Sequence, residues 1–254
     1  MGIQRRCNTT ALVLAGGLGS RLRPALADRP KVLAPIGGRP FLAYLLDQLR
    51  GAGFREVVLA VGYMGASVRE AFGVEYGGVK LIYSQEAEPL GTAGAVSLAR
   101  PFLTSDPVLV MNGDSFVEAD LGAFLNWFDN LPEAKAALLA VRVEDAGRYG
   151  RLEADSDGTV RGFLEKDPSG GPGLINAGIY LLRGEVLDSL PRGRACSLEK
   201  EIWPGLVGCG LLCRSISGRF IDIGVPESYA AAEKFFFDLT GQAGKTGPQT
   251  GFSR

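Results

Sequence analysis

Three glycines, Gly16, Gly17 and Gly19, follow the apolar run Ala11–Ala15, and Ser20, Arg21, Pro30 and Lys31 come soon after. Glycines at the end of a buried strand let backbone N–H groups approach a phosphate closely and take up positive φ. Arginine clamps phosphate oxygens bidentately and stays charged, while lysine supplies a compact point charge. Such a loop suits a triphosphate that is held while it is cut; taken alone it reads as readily as a glycine turn followed by solvated charges. Two other phosphate loops do not fit. A P-loop needs a lysine after its last glycine, and Gly19 is followed by Ser20. The dinucleotide fingerprint needs a third glycine opening a helix, whereas this loop runs on through Pro24 and Pro30.

Acids stand at two other apolar run ends. Asn112-Gly113-Asp114 follows Val108–Met111, and Asp222 follows Phe220-Ile221 ahead of Gly224 and Pro226. Two carboxylates on separate strand ends match Mg²⁺, which takes few protein oxygens and completes its shell with phosphate. Singly, each Asp reads more readily as a turn residue or a helix cap. The chain contains no histidine. Serine and cysteine triads built on histidine, histidine-ligated zinc and histidine general bases are therefore excluded. Chemistry here must run on carboxylates, Lys, Arg, backbone amides and a hard cation. Cys7, Cys196, Cys209 and Cys213 lack zinc-knuckle spacing and read as buried free thiols, with Cys209–Cys213 resembling a strand interior.

The elements that must position these groups alternate. Apolar runs at Ala11–Ala15, Val57–Val61, Val79–Tyr83, Val108–Met111, Ala136–Val141 and Ile175–Leu182 read as strands. Helical spacing follows Pro40 at Phe41, Leu42, Leu45, Leu46 and Leu49, closing at Gly51 and Gly53, and recurs over Gly91–Leu103 and Leu121–Phe128. Strands apolar throughout, alternating with helices, predict an α/β fold: a mostly parallel twisted sheet covered on both faces. Beyond Arg142 the alternation loosens into shorter strands, with a turn at Ser156–Gly158 and a glycine-rich loop at 168–173. A last helix starts at Pro226. These readings give one domain over 1–240, its nucleotide part about 1–141 and a β-rich part about 142–240, with 241–254 as a disordered tail.

With 254 residues, 46% hydrophobic and 22% charged, the chain has material for a sizeable core. Lys plus Arg (27) nearly cancels Asp plus Glu (28), so no nucleic-acid partner is expected. No apolar run is long enough to span a membrane and no signal peptide is visible, which predicts a cytoplasmic protein. The consecutive rings Phe235-Phe236-Phe237 point to a contact between copies or to packing elsewhere in the chain.

Six motifs in order resemble the sugar-1-phosphate nucleotidyltransferase family: Gly16–Arg21 with Pro30-Lys31, Glu86 with Leu90–Gly94, Asn112–Asp114, Glu165-Lys166, Asn176–Gly178 and Asp222–Gly224. The likeness runs over roughly residues 10–238, with Ser20 where the family usually has Thr and Asp167 ahead of the proline that usually follows Glu-Lys. It implies a Rossmann-like, GT-A-type fold and the joining of a nucleoside triphosphate to a sugar 1-phosphate. By that resemblance Leu14, Ala15, Gly16, Gly17, Gly19, Ser20, Arg21, Glu86, Gly91, Thr92, Asn112 and Gly113 bind the nucleotide. Lys31, Gly150, Glu165, Lys166, Asn176 and Glu199 face the sugar phosphate, a solvated helix face being the other reading of Glu199. Arg21, Lys31 and Asp114 act on the reacting phosphates, and Asp114 with Asp222 holds Mg²⁺. The stretch Tyr83–Gly94 implies guanine, hence GTP, and Phe220–Tyr229 with the compact length implies D-glycero-α-D-manno-heptose 1-phosphate. Mannose 1-phosphate guanylyltransferases commonly carry additional C-terminal material; they and N-acetylmuramate 1-phosphate uridylyltransferases are the alternatives. Outside enzymes, the alternative is a silent paralogue that binds nucleotide-sugars, which tends to lose the loop Arg or an Asp kept here.

Overall fold

The structure is a computed structural model and describes residues 9–17, 19, 22, 26, 29–149, 151–164 and 170–243. In chain order the first elements are β1 (Ala11–Leu14), β2 (Pro35–Ile36), β3 (Arg39–Pro40), α1 (Phe41–Gly51), β4 (Glu56–Val61) and α2 (Gly65–Phe72). Next come β5 (Glu75–Tyr76), β6 (Val79–Gln85), α3 (Gly91–Ala99), β7 (Val108–Asn112), β8 (Ser115–Val117), α4 (Leu121–Asp129) and β9 (Ala136–Val143). The remainder is β10 (Arg151–Ala154), β11 (Val160–Leu164), β12 (Gly173–Leu182), α5 (Gly184–Ser189), α6 (Trp203–Leu206), β13 (Leu211–Ile216), β14 (Phe220–Asp222) and α7 (Pro226–Ala243).

Among the described residues one large sheet runs in the order β13-β9-β12-β7-β1-β4-β6-β5. β7, β1, β4 and β6 are mutually parallel, as is β13 with β9. Their uniformly apolar sequences follow from this, because both faces are covered. Val13, Leu59 and Met111 face a core shared with α1, α4 and α7, while Leu12, Val58 and Val110 face a second core with α3 and α5. β12 runs antiparallel between β7 and β9, so β12 and β13, from the second half of the chain, complete the same sheet.

A separate two-stranded ribbon matters most for the site. β14 pairs antiparallel with β8, placing Asp222 opposite Ser115, and the Ile223 N–H donates to the Asp114 carbonyl at 2.9 Å.

Several local expectations are revised. The helix from Gly91 stops at Ala99, and a tight 3-10 turn with Pro101 inside it covers Arg100–Phe102, because proline brings no N–H to continue the ladder. The last helix runs to Ala243, three residues into the stretch expected as tail, and the rest of that tail lies outside the described residues. Cys196 and Cys213 are buried, but Cys209 is exposed in the turn before β13. Of the three rings, Phe236 is buried and Phe235 packs on the core, leaving Phe237 exposed. Among the described residues no helix is long and apolar enough to cross a membrane.

Phe236 closes the core under α7. Its ring stacks on Tyr44 at 3.9 Å and meets Phe41 and Phe116 edge-on at 6.0 and 5.0 Å. Phe236→Ala is expected to cost about 3–5 kcal/mol of unfolding free energy, measured in urea, through transfer and cavity terms together.

Candidate active site

At the carboxyl edge of β1, β6 and β7 the loops part around a cleft of about 400 Å³. Its walls are Leu14, Gly16, Gly17, Gly19, Glu86, Pro89, Gly91, Thr92, Ala95, Asn112, Gly113 and Asp114. A strand edge of this kind is where open α/β sheets bind ligands. Ten of the cleft's twelve walls were anticipated for the nucleotide or the metal, Pro89 and Ala95 being the additions. Ala15 sits behind the wall, buried, with its N–H donating to the Ala60 carbonyl at 2.7 Å. Ser20, Arg21, Gly150, Glu165 and Lys166 lie outside the described residues.

Close backbone approach explains two of the glycines. A Cβ on Gly16 would come within 2.9 Å of Glu86 Oε1 and 3.0 Å of the Gly62 nitrogen. A Cβ on Gly113 would meet the Leu14 carbonyl oxygen at 2.5 Å, the same oxygen that accepts the Gly113 N–H at 3.0 Å.

Glu86 is a buried carboxyl at one end of the cleft, 8% exposed. Its Oε2 accepts the Leu90 N–H at 3.0 Å. Burial pushes its pKa above the usual carboxylate range, and the bond from Leu90 opposes the rise only in part. The group is therefore short of donors, which a ligand could supply.

At the other end Lys31 Nζ donates to Asp114 Oδ2 at 2.8 Å, the lysine side chain being 10% exposed. Pro30 precedes the short turn Lys31–Leu33 that holds the lysine. Beside this pair lies Asp222. Lys31 Nζ is 3.6 Å from the point a Gly224 Cβ would occupy, and Asp222 Oδ1 is 2.6 Å from that same point. Asp114 and Asp222, 108 positions apart by number, are thus neighbours through the β8–β14 ribbon.

Asp222 is densely bonded. Arg148 Nη2 donates to both its oxygens at 3.1 Å, the Tyr149 hydroxyl donates to Oδ2 at 2.5 Å, and the Gly224 N–H donates to Oδ1 at 2.7 Å. Ser228 Oγ adds a longer bond of 3.3 Å. The Tyr149 hydroxyl is pushed well above its ordinary pKa, first by burial and then by its bond to Asp222. Among the described residues no group of three or more Asp, Glu, His or Cys gathers as a cation cage. The Asp114–Asp222 pair does fit a hard divalent ion: all-oxygen donors, adjacent, with cationic or hydroxyl groups already at both carboxylates.

Below the cleft a buried tyrosine joins the end of β7 to β12 and to the segment at Glu199. Asn176 Nδ2 and Asn112 Nδ2 donate to the Tyr180 hydroxyl at 2.9 and 3.4 Å, and that hydroxyl donates to Glu199 Oε1 at 3.2 Å. Glu199 Oε2 accepts from Thr92 Oγ1 at 2.7 Å and Ser197 Oγ at 2.8 Å. Glu199 is consequently a half-buried hub, and the solvated-face reading is set aside.

Arg148, Tyr149 and Tyr180 were not singled out from sequence. Tyr180 carried a usable signal, being a polar handle within the apolar run Ile179–Leu182. Arg148 and Tyr149 had only their position before Gly150, and their partner is 74 residues away from Arg148 in the chain.

An α/β sheet, a glycine-walled cleft at its carboxyl edge and two acids beside a buried lysine define a nucleotide-handling transferase. Comparison with known proteins agrees. The Nucleotidyl transferase family model matches residues 10–238. A Campylobacter jejuni protein, D-glycero-alpha-D-manno-heptose 1-phosphate guanylyltransferase, is 37% identical over 86% of this chain and 96% of its own length. A mannose-1-phosphate guanylyltransferase of Mycobacterium tuberculosis is 35% identical over 86% of this chain, which spans 62% of that relative. The crystal structure of HddC from Yersinia pseudotuberculosis complexed with GMP-PN has a TM-score of 0.79 at 30% identity, covering 90% of this chain and 99% of that one. The chain belongs to the nucleotidyl transferase family, on its sugar-1-phosphate guanylyltransferase branch.

Removing the Tyr180 hydroxyl leaves Asn176 and Glu199 each one partner short in a buried setting. Tyr180→Phe is expected to lower unfolding free energy by about 1–3 kcal/mol, read from the urea midpoint. A midpoint equal to wild type would show the network to be energetically idle.

Proposed function

We propose that this enzyme joins GTP to D-glycero-α-D-manno-heptose 1-phosphate, giving the GDP-sugar and pyrophosphate. The observation that carries the reaction type is a single cleft with a donor-seeking carboxylate, Glu86, and the Lys31–Asp114 pair in its walls and edge. The heptose relative, matched over nearly its whole length, supports the choice of sugar. Mannose 1-phosphate is the second reading, favoured by several relatives named mannose-1-phosphate guanylyltransferase at 34–36% identity.

The sugar phosphate oxygen forms the new bond to the α-phosphorus, the bond from that phosphorus to the bridging oxygen breaks, and the electron pair leaves with pyrophosphate. This nucleophile is already ionised at neutral pH, so no general base is needed and the lack of histidine costs nothing. What remains is charge: two anions must meet while more charge grows on the leaving group, so positioning and countercharge supply the catalysis. Gly16, Gly17 and Gly19 present backbone to the triphosphate. Lys31 bridges the α-phosphate and the attacking phosphate, and Arg21 steadies the departing pyrophosphate. Asp114 and Asp222 would hold Mg²⁺, which supplies Lewis-acid countercharge at the α-phosphate when bound. Glu86 would read guanine, whose N1–H and amino group offer two donors on one edge to its carboxylate.

Asp114→Asn is expected to lower kcat by about 10²–10³, the scale of losing one oriented electrostatic contact. Pyrophosphate release from GTP and heptose 1-phosphate at saturating Mg²⁺ measures it, and turnover near wild type would remove Asp114 from the site. The same readout, run over four triphosphates and several hexose and heptose 1-phosphates, tests the substrate assignment. Maximal release with another triphosphate or another sugar would displace it.

Glu86 gives a pH signature. Guanine donors favour its ionised form, so protons compete with the nucleotide. KM for GTP should stay level above the raised pKa of Glu86 and rise as pH falls through it. In Glu86→Gln that acid limb should vanish and discrimination against UTP weaken. An acid limb that persists in the variant belongs to another group.

A further inference from the structure

Resting on that reading of the site, we propose that Arg148 is a further substrate-binding residue, held on Asp222 in the ligand-free chain and transferred to the sugar phosphate when Asp222 takes a divalent cation. Asp222 is buried, at 9% exposure, and an unpaired carboxylate there would be strongly unfavourable. Arg148 and the Tyr149 hydroxyl meet that need, between them reaching both oxygens. Those are the oxygens a cation would require. A guanidinium and a divalent cation compete for them, so occupation by one weakens the hold of the other.

The geometry favours release in a useful direction. Only Nη2 of Arg148 is hydrogen-bonded among the described residues, and its side chain is 44% exposed while that of Asp222 is buried. The guanidinium lies against the Tyr149 ring at 5.2 Å, and that ring stands edge-on to Phe220 of the ribbon at 5.5 Å. Arg148 can therefore swing from a fixed base without unpacking the core. It would be freed beside Lys31, whose Nζ lies next to Gly224. A phosphate arriving there as the attacking group would meet two cations instead of one. Bidentate guanidinium–phosphate pairing is strong enough to draw the arginine off the carboxylate. Cation and sugar phosphate thereby favour each other's binding, and reciprocity follows from linkage.

Arg148→Gln separates this exchange from a structural role, because the two binding constants should move in opposite directions. Mn²⁺ affinity for the chain with a non-hydrolysable GTP analogue, read by electron paramagnetic resonance, should tighten by about tenfold with the competing cation gone. KM for the sugar 1-phosphate should rise by about tenfold or more while KM for GTP stays within about twofold. Tyr149→Phe, which keeps the ring and loses one bond to Asp222, should tighten Mn²⁺ binding and leave KM for the sugar 1-phosphate unchanged. Mn²⁺ affinity equal to or weaker than wild type in Arg148→Gln overturns the exchange, as does an unchanged KM for the sugar 1-phosphate. Wild-type chain that releases no pyrophosphate with any sugar 1-phosphate counts against the functional reading instead, and the Mn²⁺ arm still decides whether Arg148 guards Asp222.

Discussion

Two carboxylates, Asp114 in the turn before β8 and Asp222 at the end of β14, are brought together by a short ribbon, and the need to neutralise them organises everything around it. Like charges this close repel, and Asp222 is nearly shut off from water. The chain answers with one cation for each: Lys31 on Asp114 and Arg148 on Asp222. The partners come from distant segments, the turn after the glycine loop and the link before β10. Each pair lies within its own half of the chain, and the β8–β14 ribbon fastens the two halves together.

The opposite end of the cleft is governed by a different imbalance. Gly16 lets the loop backbone close on Glu86, and that closeness helps bury a carboxyl with a single backbone donor, Leu90. Burial without enough donors raises its pKa and leaves it poised for a partner with hydrogens to give. Cationic and anionic groups thus stand at opposite ends of the cleft, set on the parallel part of one sheet.

The central strands were legible because a buried parallel strand is apolar at every position, and the glycine loop because few backbones approach a ligand without them. Asp114 and Asp222 were legible as run-ending acids. Their adjacency was not: pairing β8 with β14 is a match between segments about a hundred residues apart, and nothing local in either encodes a partner. The antiparallel insertion of β12 was hidden for the same reason, since an apolar run reads alike in either direction. Arg148 and Tyr149 looked like an ordinary exposed dipeptide, and only Asp222, packed against them in space, gives them a task.

Without histidine the chain has no neutral base near physiological pH, and an ionised phosphate nucleophile asks for none. All of the catalytic advantage must then be electrostatic, and electrostatic groups face a difficulty that proton carriers do not. A cation strong enough to stabilise the reacting phosphates will first find any carboxylate within reach. Lys31 and Arg148 are both found in that condition, spent on Asp114 and Asp222 in the ligand-free chain. On the proposed reading, a divalent ion held at those carboxylates would add charge of its own and would free the cations already in place, and the ribbon that brings the acids together would tie both effects to one site.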